Sequence, residues 1–251
     1  MRADLIPLPS SLPRALEALG VDLPQVLRRA GLPPTLFAQA GKVRVNTDQF
    51  FALTEAMGAS SVDPALGLRL GSTAPEAPDI ASTAALQCAD LGEALRTFGR
   101  YKRLVCPEEV TLQVADGEAA ALFAWPQAHR RTPPLLIDIC FAATLALARR
   151  GTGLAVKPLR LELARPPVQA QLLAAHFGCA LHFDAAADRI VFDAATLALP
   201  FVTRNANLLT LLLPGLDAAL AAMQRQAGEH ALARQVRAAL GAQLQGQRPA
   251  I

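Results

Sequence analysis

Two histidines, a cysteine and an aspartate fall within nine residues in the stretch HFGCALHFD, residues 176–184. Side chains of these types bind zinc or act as general acids and bases. The whole chain has only four histidines and four cysteines, so this stretch is its densest source of such chemistry. The alternatives are a metal or catalytic cluster and a helix that turns into a strand.

The local pattern favours the helix and strand. His176 lies near the end of a predicted helix that Gly178 terminates in a left-handed conformation. In the strand CALHF, successive side chains alternate between two faces, so His182 and Asp184 share the outer face and Cys179 points inward. A zinc site needs three or four ligands about 2 Å from one point, which two exposed groups on a strand do not supply. We therefore predict no metal ligand and no catalytic residue here.

Motifs of other enzyme classes do not occur in the sequence, which has no GxSxG elbow, phosphate-binding Walker loop, GxGxxG after a strand or HExxH. No pair of carboxylates stands out as a general acid and base. We predict that the chain is not an enzyme and has no cofactor. The alternative that stays open is a small hydrolase or metal-dependent enzyme that uses the 176–184 cluster.

Composition indicates a globular cytoplasmic protein. The net charge is only +3, and the arginines come as scattered pairs, unlike the dense basic stripe of a nucleic-acid-binding face. The apolar runs AATLALA and LLTLLLPGL are too short to span a bilayer, and the N-terminus lacks the apolar stretch of a signal peptide. The four cysteines are far apart, which is typical of free thiols in a reducing compartment. We predict no membrane partner.

Short helices occupy residues 1–58, a predicted helical subdomain. The first two helices begin after Ser11 and Asp22 as N-caps and end at glycines. They could be a DNA-binding helix-turn-helix or a packed helical pair. The pair is favoured, because the second helix offers arginines without side chains set to read base edges. The third helix has Thr47 as predicted N-cap and ends at Gly58.

The stretch DPALGLRLGS then leads into the loop TAPEAPD, residues 73–79, which is either a lid or a connector. Helices and hairpins alternate from residue 80 to 201. Asp90 caps a helix with Glu93 as its capping-box partner, and Asp116 with Gly117 suits a type I′ hairpin turn.

The chain continues with a long apolar helix ending at Gly151, the strand PLRLELA, a helix, and the strands CALHF and RIVFD. This order favours an α+β fold over a doubly wound parallel sheet. We predict an N-terminal helical subdomain packed on a mixed, mainly antiparallel sheet with several helices.

Three stretches occur in one order: DPALGLRLG, ADLGEALRTFGRYKRL and HFGCALHFDAAADRIVFDAATLALPF. Together they resemble the N-terminal, arabinose-binding-like effector domain of AraC/XylS-type bacterial transcription regulators. The resemblance runs from about Leu12 to the end of the chain. It implies an effector-binding and dimerisation domain at 1–228, with an α+β core at 80–201 and a dimerisation helix at 205–226. Residues 229–251 are then expected to be a linker and the first helix of a truncated DNA-binding domain.

The resemblance implies a ligand sensor that couples effector binding to dimerisation and to a C-terminal helix-turn-helix domain missing from the sequence. Relatives respond to metabolites, including amino-acid-like and fatty-acid ligands. We therefore expect an apolar or amino-acid-like carboxylate in a mostly apolar pocket. A homodimer is expected, with DNA bound only through the C-terminal domain. A free-standing metabolite-binding module is the further alternative.

Candidate ligand-binding residues are cations and aromatic side chains near predicted apolar surfaces: Lys42, Arg44, Tyr101, Lys102, Trp125 and His129. Lys102 lies on the apolar stripe of its helix, where it either reaches the surface or projects into a cavity. Trp125 is either core or a ligand platform. The segment LLTLLLPGLDAALAAM is either a dimerisation helix or core, and its candidate contacts are Leu208, Leu209, Leu212 and Leu216.

Overall fold

A computed structural model describes residues 4–38, 43–73 and 79–245, and gives side-chain environments up to residue 225. The N-terminal part is mainly helical and contains a two-stranded antiparallel sheet. Its elements are β1 (Ile6–Pro7), α1 (Leu12–Ala18), α2 (Leu23–Arg29), β2 (Arg44–Val45) and α3 (Thr47–Ser60). Their apolar side chains form a first core, which contains Leu16, Leu27 and Phe51.

The N-cap of α3 is Asn46, so the prediction of Thr47 was wrong by one residue. The Asn46 side chain accepts a hydrogen bond from the backbone N–H of Gln49, and the Gln49 side chain accepts one from the Asn46 N–H. This reciprocal capping box satisfies two backbone donors of the first turn. Thr47 is buried and donates to Asp4 instead. The helix also runs past the predicted end at Gly58.

The stretch expected to lead into a loop forms the helix α4 (Leu66–Ser72), which packs on α7 (Pro134–Thr152). Gly67 and Gly71 lie one turn apart at this contact. A Cβ atom on Gly67 would stand 2.9 Å from the Asp138 Cβ, and one on Gly71 would stand 2.8 Å from the Ala142 Cβ. The glycines therefore allow close approach of the two helices. Residues 74–78 of the predicted lid or connector lie outside the described residues.

A five-stranded sheet forms the second part of the fold. Its strands are β3 (Glu109–Ala115), β4 (Glu118–Ala124), β5 (Arg160–Glu162), β6 (Ala180–His182) and β7 (Arg189–Asp193). They lie in the order β3-β4-β7-β5-β6, and every pair is antiparallel except β5 with β6. The helix α8 (Ala170–Phe177) connects that parallel pair. The predicted α+β fold with a mixed, mainly antiparallel sheet is confirmed.

Local turn and cap signals are confirmed at two places in this part. Asp116 and Gly117 both have positive φ angles, 51° and 78°, as a type I′ turn requires. The helix α6 (Leu91–Lys102) begins at the predicted N-cap, because the Asp90 side chain accepts a hydrogen bond from the Glu93 N–H. The Glu93 side chain, predicted to complete a capping box with Asp90, accepts from the Ala89 N–H instead.

The predicted end of α7 at Gly151 was wrong by two residues. The helix runs to Thr152, and the glycine that terminates it is Gly153, whose φ of 68° is left-handed. Gly151 stays inside the helix, where the Phe201 ring packs against it. Phe141 of α7 meets Phe123 of β4 edge to face, with ring centroids 5.5 Å apart. This contact belongs to a second core between the sheet and the helices α6 and α7.

The remaining elements are α5 (Ile80–Ala85), a short 3-10 helix (Ala194–Ala198) and α9 (Ala206–Gln245). The last is one continuous helix with Pro214 inside it. Its first part packs on α5 and α6. By length and composition the segment Ala206–Arg225 is apolar enough to cross a membrane, and most of it is exposed. One such helix is weak support for a membrane span.

Candidate functional site

A cavity of about 420 Å³ lies where the two cores meet. Trp125 and Leu136 on its wall belong to the first core, and Leu95 and Phe123 belong to the second. The helices α3, α4, α6 and α7 contribute to the wall together with β4. The fold thus creates the cavity by leaving a space at the junction of two packed units.

The wall is mostly apolar, with a polar group of side chains at the end of α6. Lys102 closes that helix, Cys106 and Glu108 follow in the loop before β3, and Cys140 faces them from α7. The Lys102 Nζ lies 3.5 Å from the Glu108 Oε2, and the Glu108 side chain is only 2% exposed. An ion pair therefore borders the cavity. The sequence left open whether Lys102 reaches the surface or projects into a cavity. In the structure it projects into the cavity.

Electrostatics keep the lysine of this pair charged. Burial opposes the ammonium form, but the acidic groups around it, with the Glu108 carboxylate among them, outweigh burial and raise the pKa of Lys102 above its ordinary value. The ammonium also lies 5.0 Å from the centre of the Phe98 ring, which favours the cation. At neutral pH the cavity therefore contains a protonated amine.

The two thiols act as neutral neighbours of the Glu108 carboxylate. The Cys140 Sγ donates to the Glu108 Oε1 over 3.2 Å, and the Cys106 Sγ lies 3.9 Å from the Oε2. Burial raises the pKa of Cys106 to about 12 and that of Cys140 well above its ordinary value. Since the thiolate is the reactive form of cysteine, these residues are poor nucleophiles at neutral pH.

Lys102 and Trp125 are the sequence-predicted ligand residues that the structure brings to the cavity. Trp125 is buried, and its Nε1 has no hydrogen-bond partner in the described part of the chain. Arg44 and His129 are exposed and do not line the cavity. Lys42 lies outside the described residues.

Tyr101 lies apart from the cavity, on the side of α6 that faces α9. Its hydroxyl donates to the Asp217 Oδ1 over 2.6 Å, and Arg100 donates to the same oxygen over 2.9 Å. Burial and then this hydrogen bond raise the pKa of Tyr101 to about 12. Consecutive residues of one helix therefore face two different partners.

The sequence reasoning missed Glu108, Cys106 and Cys140 as site residues. The cysteines were predicted as buried free thiols. Cys106 is buried and Cys140 is partly buried, and their shared carboxylate was not anticipated. The available signal was Cys106 one helical turn after Lys102, with an acidic residue two positions later. The approach of Cys140 depends on how α7 packs, which local patterns do not reveal.

The opening cluster at residues 176–184 does not converge. His182 and Asp184 are exposed. His176 packs edge to face on Phe177, and its Nε2 lies 3.4 Å from the Ser72 hydroxyl. Burial and the nearby Arg149 lower the pKa of His176. Among the residues that the structure describes, no group of three or more His, Cys, Asp or Glu is placed to hold a metal ion.

The four leucines predicted for dimerisation divide between two faces of α9. Leu216 is only 6% exposed and packs in the chain's own interior beside Tyr101. Leu209 and Leu212 are half-buried against the same cluster. Leu208 faces outward, together with Leu211, which is 77% exposed. The outer face is therefore centred on residues 208 and 211.

Comparisons with known proteins agree with this architecture. Residues 20–201 match the family model described as the arabinose-binding domain of AraC transcription regulator, N-terminal. A solved structure, "Crystal structure of transcriptional regulator CdpR from Pseudomonas aeruginosa", is similar to 98% of this chain and 73% of its own, with 19% identity and a TM-score of 0.59. That likeness concerns the fold alone. No curated protein matches the chain. The family match covers most of the sequence, and the chain belongs to the arabinose-binding-domain family of AraC-type transcription regulators.

Proposed function

We propose that this chain senses a small-molecule effector in the cavity between its two cores and passes the binding event to a dimer interface on α9. The observation that carries the proposal is the cavity itself, whose apolar wall ends in the buried pair Lys102–Glu108. Effector binding is the function of the domain family to which the chain belongs.

The size and lining of the cavity suit a small molecule. Ligand pockets commonly measure about 300–1,000 Å³ and combine apolar walls with a few polar groups that orient the ligand. Here Phe98, Phe123 and Leu147 provide apolar surface, and Lys102 provides a charged donor. Because both cores contribute to the wall, a ligand that fills the space would make contacts with both and stabilise their relative position.

The helix α6 offers a short route from the cavity to α9. Phe98 and Lys102 line the cavity, whereas Arg100 and Tyr101 bind Asp217 of α9. A displacement of the last turn of α6 by a ligand would therefore also move the anchor of α9. The physical requirement is that the ligand binds the two positions of this turn with different affinities.

The outer face of α9 is the proposed dimer interface. Leu208 and Leu211 expose apolar side chains there, and a second copy of the chain would cover them. Such apolar exposure is typical of protein interaction sites. We assign DNA binding to a C-terminal helix-turn-helix domain of the kind that AraC-type regulators carry, and we place the regulator in the cytoplasm.

A thermal-shift screen tests the ligand part of the proposal. A ligand that binds only the folded state raises the apparent melting temperature, and Trp125, the one tryptophan of the chain, gives an independent fluorescence signal at the cavity. We expect at least one metabolite to change both signals together. A library of apolar and amino-acid-like metabolites that changes neither signal would contradict the proposal.

Sedimentation analysis tests the dimer part. We expect Leu211→Glu to shift the chain toward the monomer, because it places a charge on the proposed apolar interface. Leu154→Glu is a matched control, since Leu154 is an exposed leucine that follows α7 and is not part of α9. Equal dimerisation by the two variants would argue against α9 as the interface.

A further inference from the structure

Lys102, at the polar end of the cavity, has more hydrogen-bond donors than its ion-pair partner accepts. An ammonium group carries three N–H donors, and Glu108 is the ion-pair partner of Lys102 among the described residues. A buried donor without an acceptor costs free energy, so a ligand that supplies oxygen atoms would relieve that cost.

The carboxylates at this end already accept hydrogen bonds from the protein. The Glu108 carboxylate faces Lys102 through one oxygen and the Cys140 thiol through the other. Asp79, a second carboxylate on the wall, accepts hydrogen bonds from the backbone N–H and the hydroxyl of Ser82. A donor group on the ligand would share these carboxylates with protein donors, whereas an acceptor oxygen would meet N–H groups of Lys102.

The positive charge of Lys102 is already balanced. The ammonium of Lys102 is neutralised by Glu108, which is nearly fully buried. A carboxylate ligand would place a second anion on one ammonium in an environment where uncompensated charge is costly. The cation Arg150 also lines the cavity but is exposed, so water screens its charge.

We propose that the effector of this cavity is an uncharged apolar molecule that presents a carbonyl or hydroxyl oxygen to Lys102, and is not a carboxylate. This inference rests on the proposed function, since it takes the cavity to be the effector site. It names a ligand chemistry different from the carboxylate that the resemblance implied.

The test compares three probes of equal chain length by Trp125 fluorescence titration at neutral pH: octan-2-one, octanoate and octylammonium. We expect octan-2-one to bind at least about tenfold more tightly than either ion, because the ions must shed water beside a pair that is already neutral. The variant Glu108→Gln removes the carboxylate that forms the ion pair with Lys102. Octanoate affinity should then rise by about tenfold while octan-2-one affinity changes little.

A second variant keeps the test decisive if Glu108→Gln does not fold. In Lys102→Met/Glu108→Gln no buried charge is left unpaired, and octan-2-one should bind several-fold more weakly because one donor is gone. Octanoate binding to the natural chain as tight as that of octan-2-one would overturn the inference and leave the cavity as an effector site. Failure of all three probes would overturn the inference as well. The proposed function would then be judged separately by the metabolite screen.

Discussion

The two sides of the last turn of α6 make opposite contacts. On one side Tyr101 is buried, and its hydroxyl lies 2.6 Å from a carboxylate of α9. On the other side Lys102 lies 3.5 Å from Glu108 and borders empty space. The Tyr101 side is tightly packed and has a short hydrogen bond. The Lys102 side has a longer ion-pair contact and faces the cavity.

This difference assigns separate roles to Tyr101 and Lys102, for which the sequence had predicted the same role. Tyr101 and Lys102 were both predicted to bind the ligand, yet only Lys102 reaches the cavity. A buried polar residue is therefore not a sufficient sign of a ligand site. Unused hydrogen-bonding capacity next to a cavity is the more specific sign, because a ligand can satisfy it without breaking an existing contact.

The largest effect is expected on the Tyr101 side, from Tyr101→Ala. Removing a large buried aromatic side chain leaves a cavity and typically costs about 3–5 kcal/mol of unfolding free energy. Tyr101→Phe is the matched control, since it removes only the hydroxyl and should cost about 1 kcal/mol. Urea denaturation measures both values. A loss below about 1 kcal/mol for Tyr101→Ala would show that the α9 side is not tightly packed.

On the Lys102 side we expect the ion pair to be replaceable as a unit. Lys102→Met alone leaves Glu108 buried without its cation and should cost about 3 kcal/mol. Lys102→Met/Glu108→Gln leaves no unpaired charge, and its unfolding free energy should lie within about 1 kcal/mol of the natural chain. Urea denaturation of both variants checks this order. A double variant less stable than the single one would mean that the pair holds the fold together.

Asp217→Asn probes the link between the two sides. It weakens the contacts of Asp217 with Tyr101 and with Arg100, and the latter pair is exposed to solvent. We expect a loss of about 1 kcal/mol of unfolding free energy and a dimer that no longer responds to the effector. Sedimentation with and without the effector measures the response. An unchanged response would place the coupling route elsewhere.

The last prediction concerns alkaline pH. The pKa of Tyr101 is raised to about 12, above the value of about 10 for an unfolded tyrosine. The native state therefore holds this proton more tightly, and the stability present below about pH 10 is lost as pH rises toward 12. Tyr101 is the one tyrosine of the chain, so ultraviolet titration of phenolate reports it directly. A midpoint near 10 would contradict burial at the α9 interface.

Much of the fold could be predicted because its signals are local. The Asp90 cap and the Asp116–Gly117 turn depend on neighbouring residues, and both are confirmed. The helix α4 was missed because Gly67 and Gly71 resemble loop residues until α7 is placed against them.

The candidate site was only partly predictable for the same reason. Lys102 could be found from the apolar stripe of its helix. The partner of Tyr101 lies 116 residues further along the chain, and the approach of Cys140 to Glu108 spans 32 residues. Contacts of that range depend on tertiary packing, which no short pattern encodes.

The central claim is that the effector occupies the cavity between the two cores. Ala143 and Ala175 are both exposed, but only Ala143, on α7, lines this cavity. Ala143→Phe should therefore place a ring in the cavity, whereas Ala175→Phe adds the same ring on α8, outside the cavity wall. The most direct measurement is the thermal shift that the strongest ligand of the metabolite screen produces in both variants. We predict that Ala143→Phe abolishes the shift and Ala175→Phe retains it. Equal shifts in the two variants would contradict the claim.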